Sequence, residues 1–184
     1  MTHQFLTASS LVAWGVLLGC GQTSPASPSS MGATAAAGTV PWKESYEASG
    51  IIAPDAGCPA PQLLTTLEGG GTATHVGKYT IVNSHCVDPA TGVLTDGSFT
   101  KTAANGDQLF GTYVGNSSVI QPPAPVGIFA VTGTLTYTGG TGRFADITGT
   151  ASMQGTLTAD FSQQPVTAAS TLIMVGEISS PRQN

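Results

Sequence analysis

Charge is scarce in this 184-residue chain. Lys and Arg total 5, Asp and Glu total 10, and charged residues make up 8% of the sequence. Neutralising a phosphate backbone needs a basic surface, so nucleic acid is excluded as a partner. The acids are scattered and form no Asp-x-Asp-x-Asp-Gly calcium loop. Histidine occurs 3 times, and a zinc centre needs three or four ligands at workable spacing. His75, His85 and Asp88 share one stretch, but a straight strand from one histidine to the other would span about 33 Å. No metal site is assigned. Gly-x-Ser-x-Gly and Cys-x-x-Cys are both missing. The one Ser-x-x-Lys, Ser98 to Lys101, puts serine and lysine on opposite faces of a strand. Glu68-Gly69-Gly70-Gly71 lacks the Lys-Ser/Thr of a phosphate loop. The carboxylates Glu44, Glu68, Asp88, Asp96 and Glu177 cannot be paired for glycosidase chemistry by position alone. Most of them read as solvated strand or turn positions. No catalytic residue and no cofactor is assigned.

Long apolar runs are also lacking. Leu11 to Leu18 is the nearest approach, and it falls short of the roughly 20 residues that span a bilayer. It closes on Leu17-Leu18-Gly19-Cys20. A short apolar run ending in a small residue before cysteine resembles a bacterial lipoprotein export signal. It departs from that pattern in one respect: Met1-Thr2-His3-Gln4 carries no Lys or Arg. The resemblance implies a signal peptide over 1–19, cut before Cys20, and lipid attachment at Cys20. Several acyl chains together hold a protein firmly to a membrane, which makes the membrane the expected partner. Gly21, rather than Asp, after the cysteine implies the outer membrane of the cell envelope. The alternative is an ordinary export signal, cut elsewhere, that releases a soluble secreted or periplasmic protein.

Residues 20–39 carry Ser, Pro, Ala, Gly and Thr with no charge and no aromatic residue. Such a segment cannot bury enough surface to offset its chain entropy. It reads as a tether with an end-to-end distance of about 25 Å. Residues 40–181 form one domain of ordinary size, and 182–184 are a tail.

Within that domain the hydrophobic signal has a period of two. Phe129, Val131, Gly133, Leu135 and Tyr137 alternate with Ala130, Thr132, Thr134 and Thr136. Ile147 through Ala159 repeats the pattern, with Thr, Ser and Gln on the other face. A strand with one face on a core looks like this, and threonine suits the outer face. The alternation and the turn residues between runs predict strands at 42–52, 62–70, 76–88, 93–103, 107–118, 128–138, 147–160 and 169–179. One helical turn is allowed near Arg143 to Asp146. Short connections make the strands antiparallel neighbours. The fold class is therefore all-β, a single antiparallel eight-stranded barrel, with a β-sandwich as the alternative. Closure removes the sheet edges that so uncharged a surface would leave open to aggregation.

The stretch Val131-Thr132-Gly133-Thr134-Leu135-Thr136-Tyr137-Thr138-Gly139-Gly140-Thr141-Gly142-Arg143-Phe144 resembles the strand–GGTGxF–strand segment of the allene oxide cyclase and dirigent barrels. Thr74 to Cys86, with Thr102 to Asp107 and Phe110 to Tyr113, is similar to a group of secreted bacterial proteins with that barrel. The glycines permit a tight turn there, and Phe144 can plug one end of the core; the resemblance implies the eight-stranded antiparallel barrel. It implies no activity, since a fold does not fix a function.

With Cys20 committed to lipid, Cys58 and Cys86 are an even pair in an oxidising compartment, and a structural disulfide is expected. A redox or metal role is the alternative reading. On the third strand Tyr79, Ile81, Asn83, His85 and Val87 share the more apolar face, which should point inward. Asn83 and His85 are then polar groups inside a barrel. They read as a hydrogen-bonded core pair or as the lining of a ligand pocket with Tyr46, Tyr113 or Tyr137. An eight-stranded barrel is either filled by side chains or holds one small ligand. The leading function is a non-enzymatic, membrane-anchored barrel binding a small apolar ligand or an envelope protein. An isomerase or cyclase acting at the barrel mouth and a structural envelope component are the alternatives.

Overall fold

The computed structural model describes residues 38–182. The expected signal segment, Cys20 as the expected site of lipid attachment and the expected tether up to residue 37 lie outside the described residues, as do the last two of the tail. The eight strands run β1 Thr39–Ala53, β2 Leu63–Ala73, β3 Gly77–Val87, β4 Val93–Ala103, β5 Gln108–Gln121, β6 Val126–Gly140, β7 Gly149–Asp160 and β8 Val166–Ser179. Each pairs antiparallel with the next, and β8 returns to β1, closing the barrel. The expected barrel is therefore the one formed. Helix is confined to one 3₁₀ turn, Gly142–Phe144, in the β6–β7 connection.

Period-two alternation holds around the barrel. In β1, Trp42, Glu44, Tyr46 and Ala48 are buried while Lys43, Ser45, Glu47 and Ser49 are exposed. Turn chemistry ends the strands where the sequence predicts. After β3 the Asp88 carboxylate accepts from the Ala90 and Thr91 backbone N–H groups. Those bonds hold its pKa below the usual carboxylate range.

The two ends of the barrel differ. At the end where β1 starts and β8 finishes, Trp42, Leu109, Phe144, Ile147 and Ile178 are packed to within 1% of complete burial. Phe144 plugs this end of the core. At the other end β1–β2, β3–β4, β5–β6 and β7–β8 are joined, and the lumen is open. Cys58, in the β1–β2 connection, is disulfide-bonded to Cys86 near the end of β3. Cys86 lies on the outer side of β3, opposite its neighbour His85, so the bond straps the β1–β2 connection against the barrel wall at the open end.

Candidate functional site

Two polar layers sit inside the barrel, one above the other. The deeper one, near the sealed end, centres on Glu44 from β1 and Lys101 from β4. Lys101 Nζ donates to Glu44 Oε2 at 2.6 Å, and both side chains are fully buried. The same Oε2 accepts from Trp42 Nε1 at 3.0 Å and from the Tyr137 hydroxyl at 2.8 Å. The other oxygen, Oε1, accepts a short hydrogen bond from the Tyr79 hydroxyl. Lys101 also donates to the Tyr137 oxygen at 3.2 Å, and its ammonium lies 4.4 Å from the centre of the Phe99 ring. Burial pulls the Lys101 pKa down, and Glu44 beside it pushes back. Burial and the carboxylate together raise the Tyr79 and Tyr137 hydroxyls far above the ordinary tyrosine value.

A backbone detail makes room for this layer. A Cβ on Gly71 of β2 would stand 2.7 Å from the Tyr79 hydroxyl and 2.7 Å from Cβ of Tyr46. It would also stand 2.1 Å from the Ser45 backbone oxygen, so a side chain at 71 would force β1 and β2 apart as well as crowd Tyr79. The network is thus complete: both carboxylate oxygens are satisfied, and the layer is closed off by Trp42, Phe144 and Ile178 below. It holds charges inside the barrel and presents none of them to solvent.

The upper layer borders a cavity of about 500 Å³ that opens at the far end. Its walls are mainly aliphatic and aromatic, among them Ile52, Leu67, Leu94, Val131, Leu157 and Leu172. Its polar members come from different strands: Thr65 of β2, Asn83 and His85 of β3, Tyr113 of β5 and Ser170 of β8. His85 Nδ1 and the Tyr113 hydroxyl are 2.8 Å apart, and that hydroxyl donates to Asn83 Oδ1 at 3.3 Å. Which of the two donates in the His85–Tyr113 contact is set by the imidazole tautomer. Burial lowers the His85 pKa to about 4, so the imidazole is neutral at pH 7. Burial likewise raises Tyr113 well above the usual value.

How Tyr113 reaches His85 is set by β4, the strand between them. The β4 register shifts between Leu94 and Gly97, with Asp96 at φ +53°. This bulge brings Gly97 opposite Tyr113. A Cβ at Gly97 would lie 2.7 Å from the Tyr113 ring. The ring leans across the bare glycine to meet the imidazole in edge-on contact, 5.6 Å between centroids.

Three residues that line the cavity each carry a fully buried side-chain atom with no hydrogen-bond partner in the protein: Thr65 Oγ1, Asn83 Nδ2 and Ser170 Oγ. Each of these residues is at most 5% exposed. Buried polar atoms are normally satisfied, so these three are exceptions within the barrel wall beside the cavity.

The sequence reading placed Asn83, His85, Tyr46, Tyr113 and Tyr137 around one pocket. Asn83, His85, Tyr46 and Tyr113 do line the cavity. Tyr137 does not. It points inward but belongs to the deeper layer, bound to Glu44 and Lys101, because its register on β6 lies nearer the sealed end. Glu44 is also not solvated, as the scattered carboxylates were expected to be; it is 5% exposed and fully bonded. Lys101, Thr65 and Ser170 were missed. Among the described residues, no group of three or more His, Cys, Asp or Glu side chains is placed to hold a metal ion. His75 sits in the β2–β3 turn at φ +66°, away from His85.

Comparison with protein-family models, with curated proteins and with solved structures found no match.

Proposed function

We propose that the barrel binds a small, largely apolar molecule taken in through its open end. The observation that carries this reading is the cavity of about 500 Å³, which lies within the range of small-molecule sites. Its apolar walls and few convergent polar groups fit the same pattern. Val119, Ile120 and Phe161 are exposed apolar residues on the β5 end and β7–β8 connection, and they give an apolar ligand a surface to meet before it enters.

Binding is favoured over acid–base catalysis by the state of the polar groups. A general acid or base works best with a pKa near the operating pH. His85 is pushed to about 4 and Tyr113 is pushed far the other way. Both stay neutral near pH 7 and neither is poised to exchange a proton, which speaks against the isomerase or cyclase alternative. The kinship with allene oxide cyclase and dirigent barrels is proposed at the level of architecture only.

We propose also that Cys20 carries a lipid anchor, so that the barrel works at the surface of the cell envelope. Support for this comes from Leu17-Leu18-Gly19-Cys20. An intact mass of the native protein that begins at an unmodified Cys20, or at another residue, refutes it.

The binding reading is tested with a neutral apolar fluorophore such as N-phenyl-naphthylamine. The protein should enhance its emission saturably. Ala159→Phe, which fills the cavity from β7, should reduce that binding at least tenfold. Val114→Phe, on the exposed outer face, should leave it unchanged. Equal loss in both variants, or no saturable binding, overturns the proposal.

A further inference from the structure

The cavity ends partway down the barrel, and the strands show what ends it. Going down β7 from the mouth, the inward side chains are Ala159, Leu157, Met153 and Ala151, with Gly155 between the second and third. The first three border the cavity and Ala151 does not. On β1 the deepest residue on the cavity is Tyr46, and the next inward one is Glu44 of the charged layer. On β3 it is Asn83, with Ile81 next below. On β5 it is Tyr113. A void of about 10 Å³ follows, bordered by those same four side chains and by Ile81, Phe99 and Leu135. The Phe99 ring in turn lies 4.4 Å from the Lys101 ammonium. Tyr46, Asn83, Tyr113 and Met153 are therefore the floor, the partition between the open cavity and the filled half of the barrel.

The four are not equally fixed. Tyr113 is tied to His85 and Asn83 by hydrogen bonds, and Tyr46 is a stiff ring. Met153 is unbranched, with three rotatable bonds and a polarizable sulfur, the side chain best suited to fill an irregular gap. It faces Gly133 across the β6–β7 register. A Cβ on that glycine would stand 2.9 Å from the Met153 methyl carbon. The methionine thus lies sideways over β6 and covers the part of the floor that Gly133 leaves bare. It is also 5% exposed, so it fills this position rather than hanging free in the lumen.

Resting on the binding reading above, we infer that Met153 determines specificity by setting how long a ligand the cavity accepts. The ligand is an elongated apolar molecule, since the lumen of an eight-stranded barrel is narrow, and its inner end stops against the Met153 side chain. Truncating Met153 joins the cavity to the void beneath and lets that end descend towards Phe99 and Leu135.

The test measures dissociation constants of straight-chain alkanols, from hexanol to tetradecanol, by displacement of the neutral fluorophore at pH 7. Each methylene that enters an apolar site tightens binding about fourfold. In the parent protein the gain should level off at the chain length that reaches from mouth to floor. Met153→Ala should move that point to chains longer by about two methylenes, in the space left by the lost thioether. Leu157→Ala, on the same strand but nearer the mouth, widens the wall without deepening the cavity, so its series should level off where the parent's does. Should the alanine variant not fold, Met153→Val, whose branched Cβ suits a strand, carries the test with a shift of about one methylene. Three outcomes overturn the inference. A parent series that never levels off shows that the cavity has no such floor. A folded Met153 variant that levels off at the parent's length shows that the methionine does not set it. An equal shift in Leu157→Ala shows that total volume, not depth, decides. In each of these cases the cavity still binds apolar molecules; displacement by none of the alkanols in the parent removes the binding reading itself, and the role of Met153 with it.

Discussion

Replacing Lys101 by Met tests the deeper layer most directly. The substitution keeps the apolar stem and removes the ammonium that lies 2.6 Å from Glu44 Oε2. At that distance, with an effective dielectric near 20, the Coulomb attraction is about 6 kcal/mol. Part of it is offset in the parent by the cost of burying the lysine, which the variant no longer bears. What remains is a buried carboxylate held only by Trp42, Tyr79 and Tyr137. Stranding one partner of a buried pair costs about 3–5 kcal/mol, a large part of the 5–15 kcal/mol typical of a domain. The melting temperature should fall by roughly 10 °C or more. Glu44→Gln alone should also destabilise, by leaving the ammonium without its counter-charge. The double variant Glu44→Gln/Lys101→Met carries no buried charge, so it should be more stable than either single variant. A double-mutant cycle by urea unfolding should then give a coupling of a few kcal/mol. If Lys101→Met melts within a degree or two of the parent, or if the two single effects simply add, the buried pair does not have the role assigned to it.

Three further outcomes are expected. Since the folded pKa of His85 is about 4 against about 6.5 unfolded, the unfolded chain takes up its proton first on acidification. Stability should therefore decline as pH falls from about 6.5 towards 4, by about 3 kcal/mol in all; His85→Gln should remove that part of the slope, and an unchanged urea midpoint profile in the variant argues against a buried neutral imidazole. Reducing Cys58–Cys86, which closes a loop of 28 residues, should cost about 3–4 kcal/mol by loop entropy; the native protein should show no titratable thiol from either cysteine, and finding two contradicts the bond. Gly97→Ala should force the Tyr113 ring off its place, lowering stability by about 1–3 kcal/mol and weakening the apolar fluorophore; an unperturbed Tyr113 ring signal by NMR would show that the glycine is not what seats it.

Much of the barrel was legible because its signal is local. Alternation along a strand is visible residue by residue, and the turns at Asp88–Gly92 and Ala104–Asp107 carry their own chemistry. On β3 this sufficed to turn Asn83 and His85 inward and Cys86 outward. The same alternation on β4 carries Lys101 inward with Phe99 and Ala103, and on β1 it carries Glu44 inward with Trp42 and Tyr46. Their pairing stayed hidden because β1 and β4 are not sheet neighbours, and contact across a lumen depends on barrel stagger, which no strand records alone. Tyr137 was misplaced for a related reason: its face was right, but its height in the barrel was not readable. Thr65 and Ser170 look like any other small polar strand residue. Only their burial and the lack of partners, both tertiary facts, set them apart. The bulge at Asp96 was equally silent, since nothing in Thr95-Asp96-Gly97 distinguishes it from a turn.

Thr39 pairs with Ser179, so the chain enters and leaves the domain side by side at the plugged end. The cavity mouth is at the other end, about 35 Å away for strands of this length and tilt. An affinity tag, a bead linkage or a fused domain joined directly beside Thr39 or Ser179 therefore emerges far from the entrance. Surface-immobilised barrel should exchange ligand at the same rate as barrel free in solution. A label meant to report on occupancy has to go instead into the Pro122–Pro125 or Ser162–Pro165 connections, the loops that border the entrance.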